Sequence, residues 1–258
     1  MVKVCIGFYG LTRSLKYTLP NIKKNIFQPL KNANIEYDIA LHTYNMKKLT
    51  NPRSKEFNVR LDPNEYKLLH PKWVRVTNQD RFDRAYAPIF QRVGKRGNPW
   101  NDGGQSLKNL TRQLNSLRVL ANIIPNDQNY DLFIFLRPDH IFYGPLNIQA
   151  ILELARPGTI ITPSWGNYGG VNDRLAIGEP AVIRAWARRI NLVDQYIKHA
   201  PLHSEQFNKF TIKTHGWTHA TLKLLCCRIR ANGGVKVDRG LPLPSKQFFA
   251  KHKKLHLI

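Results

Sequence analysis

DLFIFLRPDHIFYGPL, residues 131–146, is the stretch that decides the fold of this chain. Its apolar run, residues 132–136, stops abruptly at Arg137, Pro138 and Asp139. An uninterrupted apolar run of this length is typical of a strand buried on both faces of a parallel sheet. Because proline cannot donate a hydrogen bond to a neighbouring strand, the strand should end at Pro138. The pattern therefore predicts an α/β fold with Asp139 at the carboxyl edge of the sheet, where ligands bind in open α/β sheets.

Asp139 has two interpretations at this position. A carboxylate at the edge of a sheet is well placed to hold a Mg²⁺ or Mn²⁺ ion that carries phosphates, because these cations prefer oxygen ligands. An aspartate in a turn or at the end of a helix is equally common. The local pattern leaves both interpretations open.

A second polar cluster lies in the segment 169–178, GGVNDRLAIG. Two glycines, which let a backbone approach a ligand closely, precede Asn172, Asp173 and Arg174 and a short apolar run. A plain loop explains the glycines but not the amide, the carboxylate and the guanidinium that follow them. We therefore expect these three side chains to converge on a ligand. A local ion pair between Asp173 and Arg174, which contributes little to stability, is the alternative.

The composition describes a folded protein with an unusual charge. Of its 258 residues, 42% are hydrophobic and 22% are charged, which is typical of a globular protein rather than a disordered one. Its 40 Lys and Arg residues exceed its 17 Asp and Glu residues and give a net charge of +23. Such a field attracts polyanions and phosphate-bearing small molecules. Because the charges are dispersed along the sequence, they indicate an affinity for anions without identifying the ligand.

Cysteine usage and hydropathy predict the compartment. The chain has three cysteines, without the spacing of a zinc site or a disulfide framework, which indicates a reducing environment. Its first residues resemble a strand rather than a signal peptide, and no apolar run reaches the length of a membrane span. We therefore expect a soluble, cytoplasmic protein. The basic, amphipathic tail 246–258 either packs as a final helix or makes a weak contact with an anionic membrane.

The rest of the chain alternates strands and helices, which predicts a mostly parallel central sheet flanked by helices. Strands are predicted at 2–9, 35–43, 73–77 and 226–229, and helices at 15–30, 106–124 and 179–199. Ser106 is the expected N-cap of its helix, and residues 92–104 are expected to form a loop.

The turn after the first strand contains Gly10, Thr12 and Arg13. In α/β folds such a turn presents backbone N–H groups to phosphate, and Arg13 is placed to pair with a diphosphate. A glycine and an arginine occur together in many turns by chance, so this turn alone does not identify a phosphate site.

In this order, the motifs resemble those of the GT-A-type glycosyltransferases, and among them a soluble group found in large algal viruses and in bacteria. The resemblance covers most of the chain apart from about 45–104. It is carried by FYGLTRSL at 8–15, DIALHT at 38–43, FLRPDHIF at 135–142, GGVNDRLAIG at 169–178, HSEQF at 203–207 and RIRANG at 228–233.

The resemblance implies a fold and a reaction. The fold is a single GT-A-like, Rossmann-type domain over residues 1–258, with a nucleotide-sugar half at about 1–178 and acceptor-side elements at about 179–258. The reaction moves a sugar from a nucleotide-sugar donor, a UDP-sugar such as UDP-xylose, to a hydroxyl of a glycan or glycoprotein acceptor, with inversion expected. A viral member would act in the cytoplasm of the host.

The resemblance also assigns roles to individual residues. The expected donor-binding residues are Gly10, Thr12, Arg13, Arg137, Asp139, Asn172, Asp173 and Arg174. Glu205 would take the proton of the acceptor hydroxyl, with Asp173 as the second candidate for this catalytic base. Without the resemblance, Glu205 is interpreted as a glutamate that stabilises the amino-terminal turn of a helix.

The family's metal-binding motif, DxD, is altered in this chain. The equivalent residues are Arg137, Pro138 and Asp139, so an arginine replaces the first carboxylate. Either Asp139 holds Mn²⁺ or Mg²⁺ with help from water or a later histidine, or Arg137 supplies part of the positive charge and the metal is weakly held. Arginine cannot ligate a cation, and it repels one unless it is paired.

A non-catalytic protein that binds polyanions or nucleic acid is the alternative function. The net charge of +23 favours it. The sequence contains no recognisable nucleic-acid-binding module, and its charge is scattered rather than interleaved with aromatic residues in one patch. A specific nucleic-acid partner is therefore not expected.

Overall fold

The computed structural model of the protein describes residues 2–244, 248–249 and 254–258. The strands are β1 (Lys3–Tyr9), β2 (Glu36–Asn45), β3 (Lys48–Asn51), β4 (Glu56–Arg60), β5 (Trp73–Asn78), β6 (Leu132–Leu136), β7 (His140–Phe142), β8 (Thr159–Pro163), β9 (Leu175–Gly178), β10 (Thr218–Leu222), β11 (Cys226–Ile229), β12 (Gly234–Lys236) and β13 (His256–Leu257). The α-helices are α1 (Leu15–Ile22), α2 (Gln28–Asn32), α3 (Gln79–Ala85), α4 (Ala87–Arg96), α5 (Gln105–Ile123), α6 (Ile148–Leu154), α7 (Pro180–Ala187), α8 (Val193–Tyr196) and α9 (Ser204–Thr214).

A seven-stranded sheet lies at the centre, with the strand order β10-β8-β9-β6-β1-β2-β5. β1 pairs in parallel with β2 and β6, β2 pairs in parallel with β5, and β8 pairs in parallel with β10. β9 runs antiparallel between β6 and β8. The predicted α/β class, with a mostly parallel central sheet flanked by helices, is confirmed.

Both faces of this sheet are buried, which explains the apolar run of β6. Ile134 and Leu136 belong to a core cluster that includes side chains of α1, α2 and α6. Phe133 and Phe135 belong to a second cluster, on the side of α5 and α7. Since burial of one such side chain contributes roughly 1.5–3 kcal/mol, a polar residue on either face would cost a large part of the stability of the fold.

A second, four-stranded sheet meets the first one at Asp139. Its strand order is β13-β12-β11-β7, and β7 begins at His140, directly after the turn that ends β6. β11 runs antiparallel to β7, with Arg228 opposite His140. The backbone N–H of Ile229 donates to the carbonyl oxygen of Asp139 at 2.8 Å. Asp139 is therefore held between two sheets, close to the side chains of β11.

Two helix predictions need correction. The helix predicted at 15–30 is interrupted at Lys23–Phe27 by a π-helical turn, which follows Pro20, a residue without the N–H that an α-helix requires. The single helix predicted at 179–199 is wrong, because α7 and α8 are separated by a 3-10 turn at Arg189–Leu192.

The boundaries around α5 also differ from the prediction. Residues 92–96 form the end of α4 rather than part of a loop. The N-cap of α5 is Gly104, not Ser106. Both the N–H and the hydroxyl of Ser106 donate to the carboxylate of Asp102, so Ser106 is a partner of the helix start rather than its cap.

Residues 246–247 and 250–253 of the basic tail 246–258 lie outside the described residues, and the final helix and the membrane contact predicted for this tail stay predictions. The last residues add β13, which pairs in parallel with β12. Within the described ranges, no helix is both long enough and apolar enough to cross a membrane. All three cysteines are buried as free thiols.

Candidate active site

A cleft of about 770 Å³ opens at the carboxyl end of the parallel strands. Its wall includes Gly10, Gln79 and Arg137, which directly follow β1, β5 and β6. The volume lies within the ~300–1,000 Å³ typical of small-molecule sites. The cleft is therefore at the edge of the sheet that the end of β6 predicts.

The cleft concentrates the positive charge of the chain. Among the described residues, its wall contains nine basic side chains, Arg13, Arg53, Arg112, Arg137, Arg174, Arg228, Arg230, Lys236 and Arg239. Its four carboxylates are Asp139, Asp173, Glu205 and Asp238. Charges that are dispersed in the sequence thus converge in space, and the excess of cations favours an anionic ligand.

Asp139 lines the cleft, and both of its carboxylate oxygens accept hydrogen bonds from arginines. Arg137 donates through Nε to Oδ1 at 2.9 Å and through Nη2 to Oδ2 at 2.7 Å. Arg13 donates through Nη2 to Oδ2 at 3.3 Å. Burial raises the pKa of Asp139, but the charge and the hydrogen bonds of Arg137 outweigh burial and hold it well below its usual range. Asp139 is therefore an ionised anchor for two guanidinium groups.

Glu56 is a second anchor, in the segment 45–104 that the sequence analysis left unassigned. Its side chain is fully buried, and its Oε2 accepts a hydrogen bond from Arg13 Nη1 at 3.0 Å. The Ser54 hydroxyl donates to the same oxygen, and the N–H of Ala231 donates to Oε1 at 2.8 Å. Arg13 is thus fixed between two carboxylates, in the position that its place after β1 predicts.

Gln113 connects Asp139 to the cluster at 172–174. Arg137 donates through Nη1 to Gln113 Oε1 at 2.7 Å, and Gln113 Nε2 donates to Asp173 Oδ2 at 2.8 Å. The Ser204 hydroxyl donates to the same Asp173 oxygen. The two motifs that the sequence analysis singled out therefore belong to one hydrogen-bonded network.

Arg174 lies between three carboxylates. Its Nη1 is 3.4 Å from Glu205 Oε1 and 3.7 Å from Asp173 Oδ1. Its Nη2 is 3.2 Å from Asp238 Oδ2. Asp238 in turn accepts from Arg228 Nη2 at 2.5 Å through its other oxygen. The guanidinium of Arg174 therefore brings the two predicted catalytic carboxylates to the same place.

The pKa values of Asp173 and Glu205 are shifted in opposite directions. Burial raises the pKa of Glu205 to about 8, the charge of Asp173 adds to this effect, and Arg174 opposes it only in part. Burial also raises the pKa of Asp173, but Arg174 and the hydroxyl of Ser204 outweigh it, so that this pKa lies below its ordinary value. At neutral pH, Asp173 is ionised and Glu205 is largely protonated. Carboxylates separated in this way are suited to different roles.

Thr12 and Asn172 lie behind the wall of the cleft rather than in it. Thr12 is buried, and neither residue is among the described residues that line the cleft. The side chain of Asn172 donates to the carbonyl of Trp165 at 2.6 Å and accepts from the N–H of Arg174 at 2.9 Å. The structure therefore does not bring these two residues into the cleft wall, and the side chain of Asn172 fixes the loop before β9.

No role was assigned from the sequence to Arg228, Arg230 and Asp238, and none was assigned to Glu56 and Gln113. Arg228 lies on β11 and Arg230 lies one residue beyond its end. Alternate residues of a strand point to the same face, so the spacing in RIRANG was a signal that both could line one cleft. The sequence offered no comparable signal for Asp238, because its ion pairs with Arg174 and Arg228 are visible only in the folded chain.

The residues around Asp139 do not fit the divalent cation that the family resemblance implies. Both oxygens of Asp139 are engaged by guanidinium groups, which would repel a cation. The neighbouring His140 is neutral, because burial lowers its pKa to about 3, and its Nε2 lies 3.9 Å from Asp139 Oδ1. In the described part of the chain, no group of three or more His, Cys, Asp or Glu side chains is arranged to hold a metal. This arrangement favours the interpretation in which arginine supplies the positive charge.

Gly170 holds the start of α9 against the loop of Asp173. The N–H of Val171 donates to the carbonyl oxygen of Glu205 at 2.9 Å. A Cβ atom at position 170 would lie 2.0 Å from that oxygen, a distance that the backbone cannot accommodate without moving. The position of Glu205 therefore depends on the absence of a side chain at residue 170.

We expect Gly170→Ala to lower the stability of the fold. The substitution displaces the amino-terminal turn of α9, and overpacking of this kind typically costs about 1–3 kcal/mol. Differential scanning calorimetry measures the change in melting temperature. Gly144→Ala is the matched control, because a Cβ atom at Gly144 meets no heavy atom within 4 Å. Equal melting temperatures for the two variants would contradict the close approach at Gly170.

Comparisons with known proteins give a distant structural likeness. No protein-family model matches the chain, and no curated protein matches it in sequence. Solved structures do match, among them the apo form of mouse xyloside xylosyltransferase 1. This match has 12% identity and a TM-score of 0.43, and covers 86% of this chain and 84% of that chain. A likeness of this degree is too distant to assign an activity.

Proposed function

We propose that this protein is a glycosyltransferase that moves one sugar from a nucleotide donor to a hydroxyl of a glycan acceptor. One observation carries the proposal: a cluster of guanidinium groups adjoins two carboxylates of opposite protonation state in a single cleft. The family resemblance in the motifs at 8–15, 135–142, 169–178 and 203–207 supports the same reaction. A UDP-sugar is the proposed donor, and UDP-xylose is one candidate.

The basic half of the cleft is suited to a leaving diphosphate. Negative charge develops on the diphosphate as the bond to the sugar breaks, and fixed cations stabilise that charge most where little water is present. Arg13 and Arg137 are held in place by Asp139, so they need not reorganise during the reaction. Most of the rate enhancement would come from this fixed charge and from the positioning of the two substrates.

Glu205 is the proposed base for the acceptor hydroxyl. Its raised pKa makes it, once ionised, a stronger base than Asp173, whose pKa is lowered. The carboxylate of Asp173 is already occupied at Oδ2 by Gln113 and Ser204. Asp173 would therefore orient Arg174 and the network, while Glu205 would accept the proton. We propose inversion on this assignment.

An aromatic pair adjoins the proposed base and supports an acceptor site there. The ring of Trp100 stacks on that of His203 with 5.5 Å between the centroids and 19° between the planes. His203 Nδ1 is 3.4 Å from Glu205 Oε2, and both rings line the cleft. Ligand sites commonly combine such apolar faces with a few directional polar groups. The acceptor glycan would contact this side of the cleft.

The test is a melting-temperature screen with UDP-, GDP- and CMP-sugars, each in EDTA and in Mn²⁺. A ligand at 100 times its Kd stabilises the folded state by about 2.7 kcal/mol, which shifts the melting temperature of a protein of this size by roughly 5–10 °C. We expect such a shift with one nucleotide family, and transfer of its sugar to glycoside acceptors detected by mass spectrometry. No shift with any sugar nucleotide, together with stabilisation by heparin or DNA, would replace this proposal by the polyanion-binding function.

A further inference from the structure

Arg230 is a basic side chain of the cleft that has no partner of opposite charge among the described residues. Its side chain lines the cleft, and its Nε atom is buried without a hydrogen-bond partner. In the described part of the chain, its guanidinium takes part in no ion pair, whereas Arg13 and Arg228 each do. Burial and the positive charges of Arg13 and Arg228 together lower the pKa of Arg230 to about 9, and the carboxylates of Asp139 and Glu56 oppose this shift only in part. Arg230 is therefore still charged at neutral pH and is repelled by its neighbours.

The neighbouring carboxylates cannot serve Arg230 because they are already engaged. Glu56 and Asp139 hold Arg13, and Asp139 also holds Arg137. Arg230 is partly buried, and a charge that loses part of its hydration without gaining a partner is destabilised. An anion that enters the cleft would supply the missing charge and remove the repulsion between the arginines.

The arginines of this part of the cleft are suited to bind the phosphate groups directly, without a bridging metal ion. Arginine presents parallel N–H donors that match two oxygens of a phosphate, and such charge-assisted pairs are among the strongest hydrogen bonds in proteins. Arg13 and Arg137 are held rigidly by Asp139, and Arg228 is held by Asp238. These three arginines are therefore oriented before a ligand arrives.

We propose that Arg230, with Arg13, Arg137 and Arg228, forms a binding site for the diphosphate of a nucleoside diphosphate that requires no metal ion. In this site Asp139 orients arginines and does not ligate a cation. The identity of the anion as the diphosphate of a sugar donor rests on the proposed function. Binding of a diphosphate without metal does not, and it can be measured separately.

The first experiment measures binding of inorganic pyrophosphate and of UDP to the full chain by isothermal titration calorimetry. Titrations are carried out in EDTA and repeated with Mn²⁺. We expect both ligands to bind in EDTA, with affinities that fall as salt is added because the interaction is ionic. Binding that is detectable only with Mn²⁺ would overturn the proposal.

The second experiment assigns the effect to Arg230. Arg230→Gln should weaken pyrophosphate binding in EDTA by about tenfold to hundredfold, the loss expected for one charge-assisted partner. Arg230→Lys keeps the charge but not the paired donors, so its affinity for pyrophosphate should lie between those of the parent and of Arg230→Gln. Arg156→Gln removes the same charge from an exposed residue outside the cleft wall and should change the affinity by less than about twofold. An equal loss of pyrophosphate affinity in Arg230→Gln and Arg156→Gln would show that only the net charge matters, and would overturn the assignment to Arg230.

The melting temperature of the ligand-free variant separates binding from folding. Because Arg230 has no countercharge, Arg230→Gln should melt at the temperature of the parent or above it. A clearly lower melting temperature would show that Arg230 stabilises the fold and would remove it from the site.

The outcomes distinguish this proposal from the proposed function. Pyrophosphate binding in EDTA that depends on Arg230, without sugar transfer to any acceptor, would support the diphosphate site and reject the glycosyltransferase. Sugar transfer that requires Mn²⁺, with pyrophosphate binding insensitive to Arg230→Gln, would support the enzyme and reject the metal-free site.

Discussion

We expect Glu205→Gln to lower the turnover of the proposed sugar transfer by about 10²- to 10⁴-fold, the usual contribution of a general base, and to change the donor affinity by less than about twofold. Glutamine has the shape of the protonated glutamic acid but cannot accept a proton. Because the pKa of Glu205 is raised to about 8, the side chain is largely neutral at pH 7, so its replacement changes little in the charge that the donor meets. Steady-state kinetics gives the turnover, and calorimetry gives the donor affinity.

Glu153→Gln is the matched control for this substitution. Glu153 is exposed on α6, does not line the cleft, and accepts a hydrogen bond from Gln149 on its own helix. We expect the control to retain the turnover of the parent. Full turnover in Glu205→Gln would instead remove Glu205 from the chemistry.

The pH dependence of the proposed transfer by the parent protein tests the same assignment independently. Glu205 faces the carboxylate of Asp173, the guanidinium groups of Arg174 and Arg228, and the imidazole of His203. A base with a pKa of about 8 is ionised in an increasing fraction as pH rises, so turnover should increase about tenfold per unit below pH 8 and level off above it. A profile that is flat from pH 6 upward, with activity lost in Asp173→Asn, would assign the base to Asp173.

Asp139→Ala produces the largest expected loss of stability, about 3–5 kcal/mol, because it leaves the buried guanidinium group of Arg13 and the partly buried one of Arg137 without their shared carboxylate. The side chain of Asp139 is 3% exposed and lies 2.7 Å from Arg137 and 3.3 Å from Arg13. For a chain of this size the loss corresponds to a fall in melting temperature of roughly 10 °C. We also expect pyrophosphate to stabilise this variant more than the parent, because the anion replaces the missing charge.

The difference in stability between the parent and Asp139→Ala should depend on pH in a defined direction. The pKa of Asp139 is lowered in the folded state, so its contribution is complete above the unfolded-state pKa of about 3.9 and is lost as pH falls through the folded-state value. Urea denaturation should therefore give a constant difference between pH 7 and pH 5, and a smaller one below about pH 4.

Asp127→Ala is the control for Asp139→Ala. Asp127 is exposed in the loop after α5, and substitutions at such positions usually change stability by less than about 0.5 kcal/mol. If the melting temperature of Asp139→Ala were as close to that of the parent as the melting temperature of this control, the positions of Arg13 and Arg137 would not depend on the carboxylate.

Elements buried on both faces were predictable from local sequence, whereas their partners were not. The apolar run 132–136 predicts the bounds of β6, because each of its side chains contacts a core and none can be polar. The strand at 226–229 was also predicted, but it pairs with β7 and β12 in the second sheet rather than in the central one. Hydrogen bonds between strands join residues that are distant in the chain, and a local pattern carries no information about them.

Some residues of the candidate site could likewise be found from the sequence, and others could not. Asp139, Asp173 and Arg174 were identifiable because each lies where an apolar strand begins or ends, whereas Glu205 was identified only through the family resemblance. Glu56 was missed because its partner N–H belongs to Ala231, 175 residues along the chain. No periodicity or motif relates two such positions.

The sequence by itself determined the α/β class, the buried strands and the polar residues at the carboxyl edge of the sheet. These features depend on hydrophobic periodicity and on the backbone requirements of proline and glycine, which are local properties. Only the tertiary structure decided that Asp139 pairs with arginines, that Glu205 holds a proton at neutral pH and that Arg230 has no counterion within the part of the chain that is described. Charge pairing and pKa depend on burial and on distances of a few ångströms between distant residues, and these exist only in the folded chain.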